Sequence, residues 1–505
     1  MLPVRRHWGL ALASLLLLVA VGAMVVLDQR HGTLRAEVTP TTITWYLVAF
    51  AGFGLAAWWN ERRSIPAVVF WLVPIGARLL LLATEPTLSD DVYRYLWDGH
   101  VLAEGISPYL HPIDAAALDP IEIPIRTQVN NPSLASPYLP TAHGVFVAAA
   151  VALPSAAVVM QALMVGFDLL TAVVLRHLLG QAGLPPRRVL LYLWNPLVIV
   201  EIAHGAHLDA LMVLLTVGAL AASLGPAGGH GAGRRSIGSA VLLALAVLTR
   251  PLPALVGPVL WPRWGWPARA AFVATTIGLL LPFGLGPAGW GLGTPGTGTG
   301  VFGSARIYSR DFQFNGALNT VLEPGSTGAS VAAGGAMAGV LLWVWWRAAR
   351  ARPGPAPGAA TSASIVRYQL RLAVVPVMAY VLLTPVLHPW YLVMLLALLP
   401  FVTPASGERP DRWLLTVPWY YLAAAVSLSY LTYRNPDRFG ELVWVQRAEW
   451  LPTLALLALV LLRARATRPA ADGVEPAGAG GEPGSVADGD VMAGIGAADP
   501  GRGQD

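Results

Sequence analysis

Residues 65–99 read IPAVVFWLVPIGARLLLLATEPTLSDDVYRYLWDG, and the fold follows from how this stretch changes halfway along. The run 65–83 carries a single charge, Arg78, and is long enough to cross hydrocarbon as a helix. Just beyond it Asp90, Asp91, Arg94 and Asp98 crowd together where the chain leaves the apolar phase. Comparable apolar runs recur at 8–27, 43–59, 156–179, 189–200, 207–224, 237–249, 251–262, 270–286, 329–347, 372–386, 389–403, 413–432 and 450–463. Of the 505 residues 55% are hydrophobic and only 12% charged, against about 25% charged in soluble domains. The chain is therefore read as an all-α polytopic membrane protein with roughly 11–14 spans. Several runs fall short of the ~20 residues a crossing needs, which predicts broken or paired half-helices.

There is no cysteine, which removes disulfides, Cys-ligated zinc, Fe–S clusters and thiol nucleophiles. All 33 basic residues are arginine, and the net charge of +5 calls for no nucleic acid, because arginines anchoring loops account for it. The first run follows Arg5 and Arg6 without a small-x-small cleavage site and is read as a retained helix. With the N-terminus in the cytoplasm, Arg62, Arg63, Arg187, Arg188, Arg234, Arg235, Arg263, Arg269, Arg347, Arg350, Arg352, Arg367, Arg463, Arg465 and Arg468 all fall inside. Loops 84–155, 287–328 and 433–449 then fall outside, together with the chain's polar clusters. The expected organisation is an N-terminal hairpin over 1–64, a membrane body over 65–465 and a cytoplasmic tail over 466–505. Gly, Ala and Pro with seven acids in 469–505 mark that tail as disordered.

After the acidic pair the pattern predicts a helix to about Glu104, capped by Ser89 or Asp90 and stopped by Gly105. Val92, Tyr95, Leu96, Gly99 and Leu102 share one face; Asp91, Arg94 and Asp98 share another, facing a cavity from the membrane surface. Asp90 and Asp91 point about 100° apart. A plain cap is the competing reading, but three carboxylates and an arginine held against hydrocarbon are costly enough to imply a task. Further polar islands lie on the same side. WNPLVIVEIAHGAHLDA supplies Glu201, His204, His207 and Asp209, and with Asp91 its His-x-x-His-x-Asp spacing admits a divalent cation, the one cofactor in view. The bland alternative for those residues is a short turn of helix caps. LTRPLPAL places Arg250, which cannot shed its proton, between apolar runs, so it needs an anion there. ARIYSRDFQFN adds Arg306, Arg310 and Asp311, and TPVLHPWY adds His388, Trp390 and Tyr391. An interfacial aromatic belt accounts for Trp390 but not for His388.

The segments LSDDVYRYLWDGHVLAEGISPY, WNPLVIVEIAHGAHLDA, LTRPLPAL and TPVLHPWY, in this order, resemble the bacterial GT-C-fold, family-87-like mannosyltransferases that depend on polyprenyl-phosphate-mannose. The resemblance covers 65–403 and implies a GT-C-type bundle. It also implies a lipid-linked sugar donor used from outside the bilayer, a glycan or glycolipid acceptor, and an α-linked product by inversion. By position it points to Asp90 and Asp91 as the catalytic acids. Two departures stand out: SPYLPTAHG has Tyr138 and Pro140 where relatives carry Tyr-Pro-Pro, and residues 204–209 replace a Gly-His-Asn-Asp pattern. Such a reaction needs a carboxylate base near the acceptor hydroxyl and cations near the departing phosphate. Asp90 or Asp91 serves as the first. Arg250, Arg310 and His388 are the candidates for the second, with Arg94, Asp98, Glu201, His207, Asp209 and Tyr391 in support. The competing class is a transporter or flippase of a lipid-linked saccharide, although the one-sided polar clusters suit alternating access poorly.

Overall fold

A helical hairpin opens the fold because small residues let its two members approach closely. Along α1 (Trp8–His31) Ala13, Leu17, Ala20 and Met24 are buried, and along α2 (Thr39–Arg62) Tyr46, Ala49, Phe53 and Ala56 are buried against them. At Gly52 a Cβ would meet the Ala13 carbonyl at 2.9 Å, so only glycine fits that crossing. Leu12, Leu15 and Val19 face outward, as apolar side chains in a bilayer are free to do.

The computed structural model describes residues 8–34, 38–153, 156–224, 232–291, 298–321, 327–351, 362–403, 415–434 and 440–466. The fold lies within Met1–Leu461; a second unit, Leu462–Asp505, begins in the last helix, and the tail expected there lies outside the described residues after Ala466. Beyond the hairpin come α3 (Ala67–Leu81), α4 (Asp91–Ala103), α5 (Pro140–Ala152) and α6 (Ala157–Gln181). A broken stretch follows, with α7 (Leu190–Leu193), α8 (Pro196–Ile199) and α9 (Asp209–Leu224). Next are α10 (Ala232–Val247), α11 (Gly257–Leu260), α12 (Trp266–Gly284), α13 (Gly303–Asp311) and α14 (Ala317–Val321). The chain closes with α15 (Thr327–Arg350), α16 (Ser362–Leu383), α17 (Leu392–Leu398), α18 (Val417–Ala425) and α19 (Val443–Ala466). Among the described residues there is no strand, only isolated bridges from Phe314 and Asn315 to Val386.

Seven helices among the described residues (α1, α2, α6, α12, α15, α16 and α19) are long and apolar enough to span a membrane. An eighth arises if the segment Pro196–His204 and α9, bent by 120° at their junction, count as one broken span. Three shorter apolar helices, α3, α5 and Pro389–Phe401, add to them. The protein is an all-α polytopic membrane protein.

The break is written into the local sequence. Pro196 forces Asn195 into an extended conformation, and the Asn195 side chain then accepts from the Leu197 N–H at 3.0 Å to start α8. A wide π-type turn over Val200–His204 follows, and Ala206 takes a φ of 54° to reverse the chain into α9. Arg78, the lone charge in the run 65–83, steadies this region from α3. It pairs with Asp168 of α6 at 2.5 Å, both side chains fully buried, and donates to the Leu193 carbonyl at 2.9 Å. Removing one partner leaves the other charged in an apolar interior, at a cost of about 3–5 kcal/mol. Arg78→Leu and Asp168→Leu are each expected to lower the midpoint of thermal unfolding in detergent more than the double variant Arg78→Leu/Asp168→Leu. A double variant less stable than either single one would contradict this account of the pair.

Two expectations for 84–155 need correction. This stretch contains α5, which hydropathy passes over because thirteen residues are too few to span. Secondly, α4 does not turn its whole polar stripe to a cavity. It packs along α5 so tightly that a Cβ at Gly99 would meet the Phe146 carbonyl at 2.3 Å. Arg94 and Asp98 are buried, paired with each other at 3.0 Å; Arg94 also donates to the Leu134 carbonyl. Their polarity closes the 134–143 segment onto the helix, with His143 3.9 Å from Asp98.

Candidate active site

The segment that delivers the acidic pair is clamped from two sides. His204 donates through Nδ1 to Thr84 Oγ1 at 2.9 Å, since that hydroxyl spends its own proton on the Leu81 carbonyl. Its Nε2 accepts from the Thr87 and Leu88 N–H groups at 3.2 and 3.4 Å. On the far side Thr87 Oγ1 accepts from the Leu34 N–H and donates to Asp28. This loop enters α4 with Asp90 at the cap position, where its side chain makes no capping bond; Ser89 Oγ instead accepts from the Asp91 N–H at 3.3 Å.

Asp91, one residue on, reaches the polar cluster. Its Oδ2 stands 3.9 Å from Arg250 Nη2 and 4.0 Å from His207 Nδ1, and its Oδ1 accepts from Asn130 Nδ2 at 3.2 Å. Arg250 sits where α10 ends before Pro251 and bridges to Asp209 Oδ2 at 3.5 Å, so one guanidinium lies between two carboxylates. Tyr138 and Tyr391 flank it, their ring centres 5.9 and 5.6 Å from its carbon. Behind His207, Glu201 lies 3.4 Å from Nε2 and accepts from the Tyr430 hydroxyl at 2.8 and 2.9 Å. The rings of Phe314, His388, Trp390 and His207 form one stack, with successive centres 4.7, 4.5 and 3.9 Å apart.

What marks this cluster as the candidate site is its unmet hydrogen bonding. Both oxygens of Asp209, both ring nitrogens of His207, Arg250 Nε, His388 Nδ1 and Trp390 Nε1 are buried with no hydrogen-bond partner. Buried polar groups are ordinarily paired, and seven orphans converging from five residues fit a polar ligand.

The structure thus brings together Asp91, Arg250, His207, Asp209, Glu201, His388 and Tyr391 of the residues singled out in the sequence. Others stay apart. Arg94 and Asp98 serve packing, as described, and Arg310 is exposed in the last turn of α13. From α13 Tyr308 instead approaches, accepting from Asn131 Nδ2 at 3.0 Å; burial pushes its phenol up to about 12, so it stays protonated. At His388 burial, reinforced by the Arg250 charge, drives the imidazole down to about 3, so it is neutral in this structure. Trp390 is no belt residue; it is buried between His388 and His207. The cation set Asp91, His204, His207 and Asp209 does not assemble either. His204 spends both nitrogens on the 84–88 loop and Arg250 fills the space between the two aspartates, so these residues do not fit a metal. Among the described residues no group of three or more His, Asp or Glu side chains is placed to hold one.

The sequence reading missed Asn130, Asn131, Tyr308 and Tyr430, and noted Tyr138 only as a departure from a motif. Asn-Asn-Pro at 130–132 is a turn signal that marks a loop but not what it touches, and Tyr430 lies in an apolar run with no signal.

Comparison with known proteins gives the family. The family described as alpha-(1->6)-mannopyranosyltransferase, N-terminal domain, matches residues 6–265, just over half of the chain. The chain is 26% identical over 491 residues to alpha-(1->6)-mannopyranosyltransferase A of Mycobacterium tuberculosis (strain ATCC 25618 / H37Rv), covering 86% of this chain and 83% of that protein. No solved structure matches it. Asp91, Glu201, His207, Asp209 and Arg250 lie inside the matched region, whereas Phe314, His388, Trp390, Tyr391 and Tyr430 join the cluster from beyond it. This all-helical membrane protein belongs to the alpha-(1->6)-mannopyranosyltransferase family.

Proposed function

We propose that the protein transfers mannose from a polyprenyl-phosphate donor to a glycan or glycolipid acceptor, forming an α-(1→6) linkage at the extracytoplasmic face of the membrane. The observation that carries this reading is the Arg250 guanidinium standing between Asp91 and Asp209 among buried polar atoms that lack partners. Asp91 is the general base. As the acceptor oxygen forms its bond to the anomeric carbon, Asp91 takes the hydroxyl proton, and the bond from that carbon to the phosphate oxygen breaks with its electron pair going to phosphate. One displacement on the opposite face inverts a β-linked donor to an α-linked product.

Arg250 is the group for the leaving phosphate, because its planar fork matches phosphate oxygens and its charge offsets the negative charge that grows on departure. Asp209 keeps that arginine in register. The ring stack walls the pocket and lends the neutral His388 Nδ1 and Trp390 Nε1 to sugar hydroxyls. The membrane orientation rests on the arginine-rich loops opposite the site, with both termini in the cytoplasm.

The direct test is incubation of the purified protein with labelled polyprenyl-phosphate-mannose and a mannose-terminated acceptor. Transfer of label into an acceptor product with an α-(1→6) bond is expected. Movement of the intact donor across vesicles without transfer would instead identify a flippase.

A further inference from the structure

We propose that His207 and Glu201 form a proton relay behind Asp91, with His207 passing the proton and Glu201 acting as its positioning carboxylate. The proposal rests on the reading of Asp91 as the base. Four groups follow one another: Asp91 Oδ2 is 4.0 Å from His207 Nδ1, His207 Nε2 is 3.4 Å from Glu201 Oε2, and that oxygen accepts from the Tyr430 hydroxyl at 2.9 Å. The imidazole faces a carboxylate through each of its opposite nitrogens, and neither nitrogen has a hydrogen-bond partner. Contraction by about 1 Å or less on substrate binding would close both gaps, as catalytic contacts commonly do.

Three features of the backbone and its neighbours build this line. At Gly205 a Cβ would meet the Glu201 carbonyl at 2.7 Å, His207 Cδ2 at 2.7 Å and His207 Nε2 at 2.9 Å, so a side chain there would push the imidazole away from the carboxylate. Ala206 holds the left-handed φ that only a few non-glycine residues adopt, which folds His207 back until its N–H donates to the Glu201 carbonyl. Trp390 stacks on the imidazole 16° from parallel and fixes the plane of the ring. Cap or packing roles for His207 require none of these.

The chemistry follows. In its ionised form Glu201 favours the tautomer with the proton on Nε2, which aims the Nδ1 lone pair at Asp91. When Asp91 has taken the acceptor's proton, its O–H donates to Nδ1 while the Nε2 proton passes to Glu201. Asp91 is again a carboxylate, Glu201 is neutral, and one proton is accounted for per transfer; the line runs in reverse to water once product has left. The charged and titratable groups facing His207 are Asp91 on α4, Glu201, His204 and Asp209 on its own turn, Arg250 after α10, and His388 before α17. Tyr430 hydrogen-bonds Glu201.

The test measures kcat and KM against pH on the full-length protein with polyprenyl-phosphate-mannose. Glu201→Gln and His207→Gln are each expected to lower kcat about 10- to 100-fold with KM for donor within about twofold. Both are expected to displace the acid limb of the kcat profile by at least about one pH unit, and the double variant to be no worse than His207→Gln. Imidazole in the buffer is expected to restore His207→Ala at least about tenfold but not Glu201→Gln/His207→Ala. Should Glu201→Gln fail to fold, Glu201→Asp is expected to lower kcat while keeping the wild-type pH profile. An unchanged profile in the Gln variants, losses that multiply in the double variant, and no rescue by imidazole would overturn the relay. If Asp91→Asn is inactive while Glu201→Gln and His207→Gln behave as wild type, the relay alone fails; if Asp91→Asn retains transfer, the base assignment fails with it.

Discussion

Asp91→Asn is expected to abolish mannosyl transfer, lowering kcat by at least about 10³-fold while the protein remains folded and monodisperse. The substitution keeps the shape of the side chain and an oxygen able to accept from Asn130, so the junction with the 130–131 loop survives. What disappears is the capacity to take a proton from the acceptor, and with it half of the negative charge that balances Arg250. Asp90→Asn provides the contrast. That side chain sits at the cap position without a capping bond, about 100° around the helix from Asp91, and its loss is expected to cost less than about tenfold. Initial rates with labelled polyprenyl-phosphate-mannose decide the matter. Equal losses in both variants would mean that the acids work as a pair, and an active Asp91→Asn would remove the base.

Arg250→Ala ranks second, with an expected fall in kcat/KM of about 10²- to 10³-fold. The loss has two sources. The departing phosphate forfeits its cation, and Asp209, only 1% exposed, is left as a buried carboxylate with its counter-ion removed. Arg250→Lys separates them: a point charge restores electrostatic balance without the two-pronged geometry, so folding stability should recover further than the rate. Arg310→Ala, on the exposed side of α13, is expected to change the rate by less than about threefold. A kcat/KM unaffected by Arg250→Ala would place the phosphate elsewhere.

Much of this architecture is legible in the residues because a bilayer imposes its terms locally. An apolar run must be helical, and a charge within one must have company, which is how Arg250, Glu201 and the 88–99 stretch come to notice before any coordinates. Helical periodicity, however, cannot tell Asp91 from Asp98. The two lie on one face of α4, and only the packing of α5 and the 109–143 segment, set by contacts far apart along the chain, buries the second and leaves the first at the site. The same limit hides Trp390, whose place between two histidines depends on residues 207 and 390 meeting across the bundle. His388 shows it in another form: an imidazole in a polar motif invites a positive charge, but the neighbouring guanidinium and the loss of water favour the neutral ring.

The ring stack has a consequence for how the enzyme matures. Its histidine from the bend before α9 is translated early, but the tryptophan that holds it and the tyrosine that ties Glu201 come from residues 390 and 430. A nascent chain halted after α12 would carry base and guanidinium yet no finished chamber. Activity should therefore switch on late in biogenesis, and the amino-terminal half produced alone should be inert until its missing portion is supplied.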